Sequence, residues 1–224
     1  MKTRLIHPAL AALTAGLLLT SCSGGSDSDD NADDIDGVQT GEEQTDTPSE
    51  SASPSPTDDG IDRPEIELPD DMNNVFEDTE TGDPTRDAII ADAIGRIEVM
   101  DMAFAAGDPG LEAMEFYSTS EALVSARQFV RGSSEDGVSW AGTVVYYDFT
   151  VENEGYQADR PVVGYCQDIT ELRDKNLETG ELLPESGGAN FLYTQVVMRE
   201  NELGVWQAER VLPVDEDLDR ECER

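Results

Sequence analysis

Sixty consecutive residues, Ser23 to Gly82, hold 20 acidic groups and a single basic residue, Arg63. Such a stretch has too little apolar surface to bury, and its like charges repel one another. SGGSDSDDNADDID and SESASPSPTDDG are its densest parts. The chain is therefore divided by composition, and the expected folded part is residues 83–224, long enough for one core. That part is acidic too, with 30 acidic and 11 basic groups, and the whole chain carries a formal net charge of -36. A surplus of this sign excludes a nucleic-acid partner, because affinity for phosphates comes from Lys and Arg.

As a flexible coil, the span 22–82 reads as a tether roughly 40–45 Å long on average. Asp34, Asp36, Gly37 and Glu43 fall at the spacing of a calcium loop, but Ala32 occupies the first ligand position and no helix flanks it. Metal binding is not expected there. Ile61 to Phe76 carries scattered apolar residues, and Pro64 and Pro69 exclude a long helix. It reads as further linker, the alternative being a segment laid extended along the domain.

Residues 1–21 have the three-part layout of a secretory signal peptide. Lys2 and Arg4 lead, an apolar run from Ala9 to Leu19 follows, and the small residues Thr20 and Ser21 precede Cys22. The run is too short for an ordinary membrane span. Leu19-Thr20-Ser21-Cys22 resembles a lipobox, the processing site of bacterial lipoproteins. The resemblance implies cleavage before Cys22, a diacylglycerol thioether on its sulfur, and a mature chain anchored on the extracytoplasmic face of the cell membrane. Two acyl chains hold durably where one is marginal. The one histidine, His7, lies inside this leader. A mature chain without imidazole has no Ser–His–Asp or Cys–His catalysis, no His-ligated metal and no histidine pH switch. No cofactor motif is present either, so neither cofactor nor metal is expected.

Within 83–224, Asp83-Pro84 is a helix start, with an N-cap and proline in the first turn. Ile90, Ile94, Ile97 and Phe104 recur at spacings of four, three and seven, a stripe that packs one helix face before the chain reaches Gly107. Gly95 interrupts this helix at ~1 kcal/mol relative to Ala, which points to a close approach there. Asp108-Pro109 opens a short second helix with Leu111 and Met114. Ser118 and Glu121 have capping-box spacing for a third, whose Ala122, Ala126, Phe129 and Val130 are expected to face inward. Four antiparallel strands are expected at Thr143–Val151, Arg160–Gln167, Asn190–Arg199 and Val205–Leu212. The polar stretch Asp168–Gly188 reads as a long loop, either a solvated insertion or, through Arg173 and Lys175, a contact for an anionic partner. Three N-terminal helices packed on a curved antiparallel sheet make an α+β domain.

Helices first, then a sheet closing on a hairpin with a Trp near its last turn, is the order of the NTF2-like (SnoaL-like) superfamily. The domain resembles that superfamily and, more narrowly, secreted lipoproteins of actinobacteria. The marks are Trp140-Ala141-Gly142, Cys166-Gln167-Asp168, the Gly204-Val205-Trp206 turn and Cys222. The resemblance implies a cone with a pocket between helices and sheet, and some members are enzymes that use Tyr and Asp. Candidate pocket residues here are Tyr146, Asp148, Tyr165, Asp168 and Tyr193. Strand alternation puts Tyr146 and Asp148 on one face, and Cys166 and Asp168 together on another. With Cys22 lipidated, Cys166 and Cys222 are an even pair in an oxidising compartment and are expected to form a disulfide. The alternative, a nucleophilic cysteine, lacks a histidine or nearby lysine to make a thiolate. No catalytic residue is assigned. The leading expectation is a membrane-anchored extracellular module that binds a protein or small-molecule ligand, the alternative a pocket enzyme using Tyr/Asp acid–base chemistry.

Overall fold

Asp83 starts the first helix as its position requires. In the computed structural model its carboxylate accepts from the backbone N–H groups of Thr85 and Arg86, at 2.9 and 3.2 Å. The structure describes residues 59–153, 159–184, 187–213, 219 and 221–224. The expected leader, Cys22 and the acidic span up to residue 58 lie outside the described residues, as do Glu154 and Gly155. Helix α1 (Pro84–Ala106) ends on Gly107 in the left-handed conformation, which glycine adopts without steric cost. Helix α2 (Ala113–Tyr117) and helix α3 (Ser120–Asp136) follow. The capping box does not form. Thr119 is the N-cap of α3 and makes no side-chain cap bond. Ser118 is instead buried in a bridge to Ala208.

Among the described residues six strands, not four, make the sheet: β1 (Met72–Phe76), β2 (Val138–Glu152), β3 (Val162–Asp168), β4 (Arg173–Asn176), β5 (Phe191–Glu200) and β6 (Trp206–Val211). Their order is β1-β2-β3-β5-β6, with β4 on the first half of β2. The fold is thus α+β with a curled sheet, but it is not purely antiparallel, since β1 runs parallel to β2. That strand corrects the domain boundary. Residues 59–82, expected as linker, belong to the domain. Asn73 to Val75 pair with Thr143 to Val145, Leu68 packs on the main core, and Ile61 and Ile66 pack on the helical one. Arg63 bridges Asp59 at 2.8 Å and the buried Asp92 at 3.2 Å.

The Asp168–Gly188 stretch is corrected as well. It contains β4, whose Arg173–Asn176 pair with Ala141–Val138. Lys175 is not offered to a partner: its Nζ lies 2.8 Å from both carboxylate oxygens of Asp71, and its stem is buried.

The main core lies between α1 and the inner face of the sheet. Ile90, Ile94 and Ile97 meet Val144, Tyr146, Phe149, Tyr165 and Met198 there. A second cluster, including Val99, Ala103, Met114, Tyr117 and Val130, sits among the helices. Gly95 has its close neighbour: a methyl group there would lie 2.5 Å from the Tyr117 ring, which is itself buried. Gly95→Ala gains ~1 kcal/mol of helix propensity but overpacks a closed interface at a cost of roughly 1–3 kcal/mol. A net drop in the urea unfolding midpoint is expected; a rise would show that the ring yields freely.

Candidate ligand cavity

The apolar stripe of α1 has a gap. Ile97 is followed on the same face by Asp101, four residues on, and then by Phe104. A carboxyl is thus carried by helical geometry to the sheet-facing side, among groups that cannot solvate it. Around it lies a cleft of about 290 Å³, open on one side. Phe104 and Phe129 form its helical wall, with ring centroids 5.5 Å apart and planes at 16°. Trp140 and Tyr146 of β2 form the wall of the sheet. Phe129 is 61% exposed, so the expectation that it faces the core fails; it stands at the mouth, stacked on Phe104.

Asp101 is half-buried, and one carboxylate oxygen accepts from the Asn74 side-chain amide at 2.7 Å. Burial raises its carboxyl from the ordinary 3.8 to about 7, while hydrogen bonds from Asn74 and the Trp140 indole restrain the rise. Burial also pushes the Tyr146 hydroxyl well above its ordinary range, helped by the nearby Asp101. At neutral pH Tyr146 is therefore a hydrogen-bond donor, and Asp101 is divided between acid and base forms.

Of the five candidates read from the sequence, only Tyr146 lines this cavity. Tyr165 lies behind it in the core, stacked on Phe149 at 5.4 Å and edge-on to Tyr146 at 6.0 Å. Asp148 does not share the face of Tyr146. It is exposed with a φ of 53°, at a register shift between β2 and β3. This bulge consumes one residue, so Phe149 and Val151 return to the inner face that strict alternation denies them. Asp168 closes a turn, accepting from the backbone N–H and hydroxyl of Thr170 at 3.0 and 2.7 Å. It shares the outer face with Cys166, as alternation predicts, but neither reaches the cavity.

Tyr193 is on that outer face beside the Cys166–Cys222 disulfide, whose Cα atoms are 5.5 Å apart. The pairing is the one expected, and the buried sulfurs serve structure, not nucleophilic chemistry. Among the described residues no group of three or more His, Cys, Asp or Glu side chains is placed to hold a metal ion, and no helix is long and apolar enough to cross a membrane.

No protein-family model matches the chain, and no curated protein matches it. Among solved structures, a ketosteroid isomerase-like protein from Erwinia carotovora atroseptica SCRI1043 is similar at 17% identity and a TM-score of 0.37, over 55% of this chain and 90% of that one. A likeness so distant carries no argument about activity.

Proposed function

We propose that this chain is a lipid-anchored extracytoplasmic protein whose domain, of the NTF2-like type, binds a small and largely apolar molecule in the cleft between α1 and the sheet. The reading is carried by one observation: a cavity of about 290 Å³ walled by four aromatic rings and holding the Asp101 carboxyl. Concave, mostly apolar sites with a few convergent polar groups are the usual form of small-molecule sites. Three helices followed by the curled run of β2 to β6 support the superfamily, and the lipobox-like Leu19-Thr20-Ser21-Cys22 supports the anchor. A disulfide suits an oxidising compartment.

Titrating isotope-labelled mature chain with 2-phenylethanol should move the amide resonances of Asp101, Trp140, Gln167 and Leu192 together. Shifts scattered over the surface, or none at millimolar ligand, would sink the cavity as a binding site. The anchor has its own test. Labelled fatty acid should enter the wild-type chain and be lost in Cys22→Ala.

A second reading is favoured by the weakened acidity of Asp101, whose carboxyl burial raises to about 7. A general base works best when its pKa lies near the ambient pH. In that reading Asp101 accepts a proton from a carbon acid, and Tyr146 donates a hydrogen bond to the oxygen that gains charge. Solvent deuterium would then enter a bound ketone next to its carbonyl, and Asp101→Asn would abolish the exchange.

A further inference from the structure

We infer that the cavity takes an organic ammonium ion with an apolar body, its charge against Asp101 and its body along the Phe104–Phe129 pair. The inference rests on reading the cleft as a ligand site, and it names what the lining selects.

The charges come first. Among the described residues lining the cleft there are two carboxyls, Asp101 and Asp174, and neither lysine nor arginine; Gln167, the Tyr146 hydroxyl and the Trp140 indole are its neutral polar groups. An anionic ligand meets repulsion from the ionised form of Asp101. A neutral apolar ligand fills the space but removes water from Asp101 without replacing its solvation, and an uncompensated buried charge is costly. A cation compensates it. The carboxylate has about four lone-pair positions, of which Asn74 and Trp140 occupy part.

The walls agree with the charges. Phe104, Phe129, Trp140 and Tyr146 line one small volume, and aromatic rings attract cations over their faces, most of all in desolvated sites. Beyond the cleft, a chain of net charge -36 concentrates cations at its surface.

Among the described residues Asp101 makes no ion pair, although Arg96 acts on it from farther off. The groups that face it are Glu98 and Arg96 of α1, Asn74 of β1, and Trp140 and Tyr146 of β2. Arg96 is the one cation among them. It has the smallest influence on the Asp101 carboxyl and is also directed at the hydroxyl of Tyr165 on β3. A ligand ammonium therefore supplies a missing partner and favours the ionised carboxyl. Its affinity should rise as the pH passes from 6 to 8, because Asp101 ionises there while an aliphatic ammonium stays charged up to about pH 10.

The test is calorimetric titration of the mature, unacylated chain with three probes of one shape: 2-phenylethylammonium, 2-phenylethanol and 3-phenylpropanoate. The ammonium should bind about tenfold or more tightly than the alcohol, the propanoate least, and the ammonium preference should grow from pH 6 to pH 8. Asp101→Asn should erase that preference, so that the ammonium and the alcohol bind alike. Equal binding of ammonium and alcohol to the wild-type chain overturns the inference and leaves the cavity as a site for neutral ligands. A preference that survives in Asp101→Asn also overturns it, since the acidic surface alone then explains the attraction. If no probe binds to either protein, the ligand-site reading itself falls and takes the inference with it.

Discussion

Replacing Cys166 and Cys222 together by alanine is expected to lower the unfolding free energy by about 4 kcal/mol, the loop-entropy value for a cross-link of this span. The two sulfurs are separated by 56 positions in sequence, so the bond removes much of the freedom of the unfolded chain. It also fastens the C-terminal tail to the outer face of the sheet. There Tyr147, Cys166 and Cys222 form a buried cluster flanked by Val145, Phe191 and Tyr193. The tail is held at other points as well. The Tyr147 hydroxyl donates to the Cys222 carbonyl, the Asp219 carboxylate accepts from the Tyr193 backbone N–H at 2.7 Å, and the Arg224 guanidinium lies 3.3 Å over the Tyr147 ring and 2.9 Å from Glu77. These contacts are short-range and partly exposed, so they hold the tail only weakly once the covalent tie is gone. Urea unfolding should show the loss, and hydrogen exchange should show the Tyr193 amide deprotected first. A loss below ~1 kcal/mol would mean that the unfolded chain gains little freedom when the bond is removed.

Asp101→Asn should stabilise the protein at pH 8 relative to its effect at pH 4, by on the order of 3 kcal/mol. The sign follows from where the carboxyl titrates. Burial raises it from 3.8 to about 7 in the folded chain. Between those values the folded state holds a proton that the unfolded state has released. Stability from this group is therefore complete below about pH 4, falls as the pH rises through the window, and stays low above 7. Asparagine has nearly the shape of the protonated acid and does not ionise, so the difference between the two proteins isolates this group from the other acids. The figure is reduced from the full linkage value because Asp101 is only half-buried and water at the mouth screens it. The comparison needs urea midpoints for both proteins at both pH values. A pH-independent difference would mean that Asp101 is solvated as on an open surface. A residue that makes its own fold less stable at neutral pH has a reason to be there that packing does not provide, and the cavity supplies one.

Local chemistry made part of this fold legible. Asp83-Pro84 and Gly107 bound α1 because capping and left-handed glycine are short-range effects, and Gly95 announced the close packing of Tyr117. Strands β1 and β4 were not legible for the opposite reason. MNNVF and RDKN lack apolar alternation, and they are strands because β2 offers its edges to them. The partners lie far away in sequence. The bulge at Asp148 was equally hidden, so alternation assigned the wrong face to every residue after Tyr147. The site itself had left a trace: the spacing of seven between Ile97 and Phe104 skips a turn, and Asp101 fills it. A carboxyl in the core stripe of a helix is the signal that points to the cavity, and the tyrosine-rich strands carry no equivalent.

Carbon-13 NMR of side-chain carboxyls reads directly how far the aromatic cavity raises the half-buried Asp101 carboxyl. In protein labelled at aspartate, the resonance absent from Asp101→Asn should titrate with a midpoint of about 7. A midpoint near 4, shared with the surface aspartates, would contradict the account.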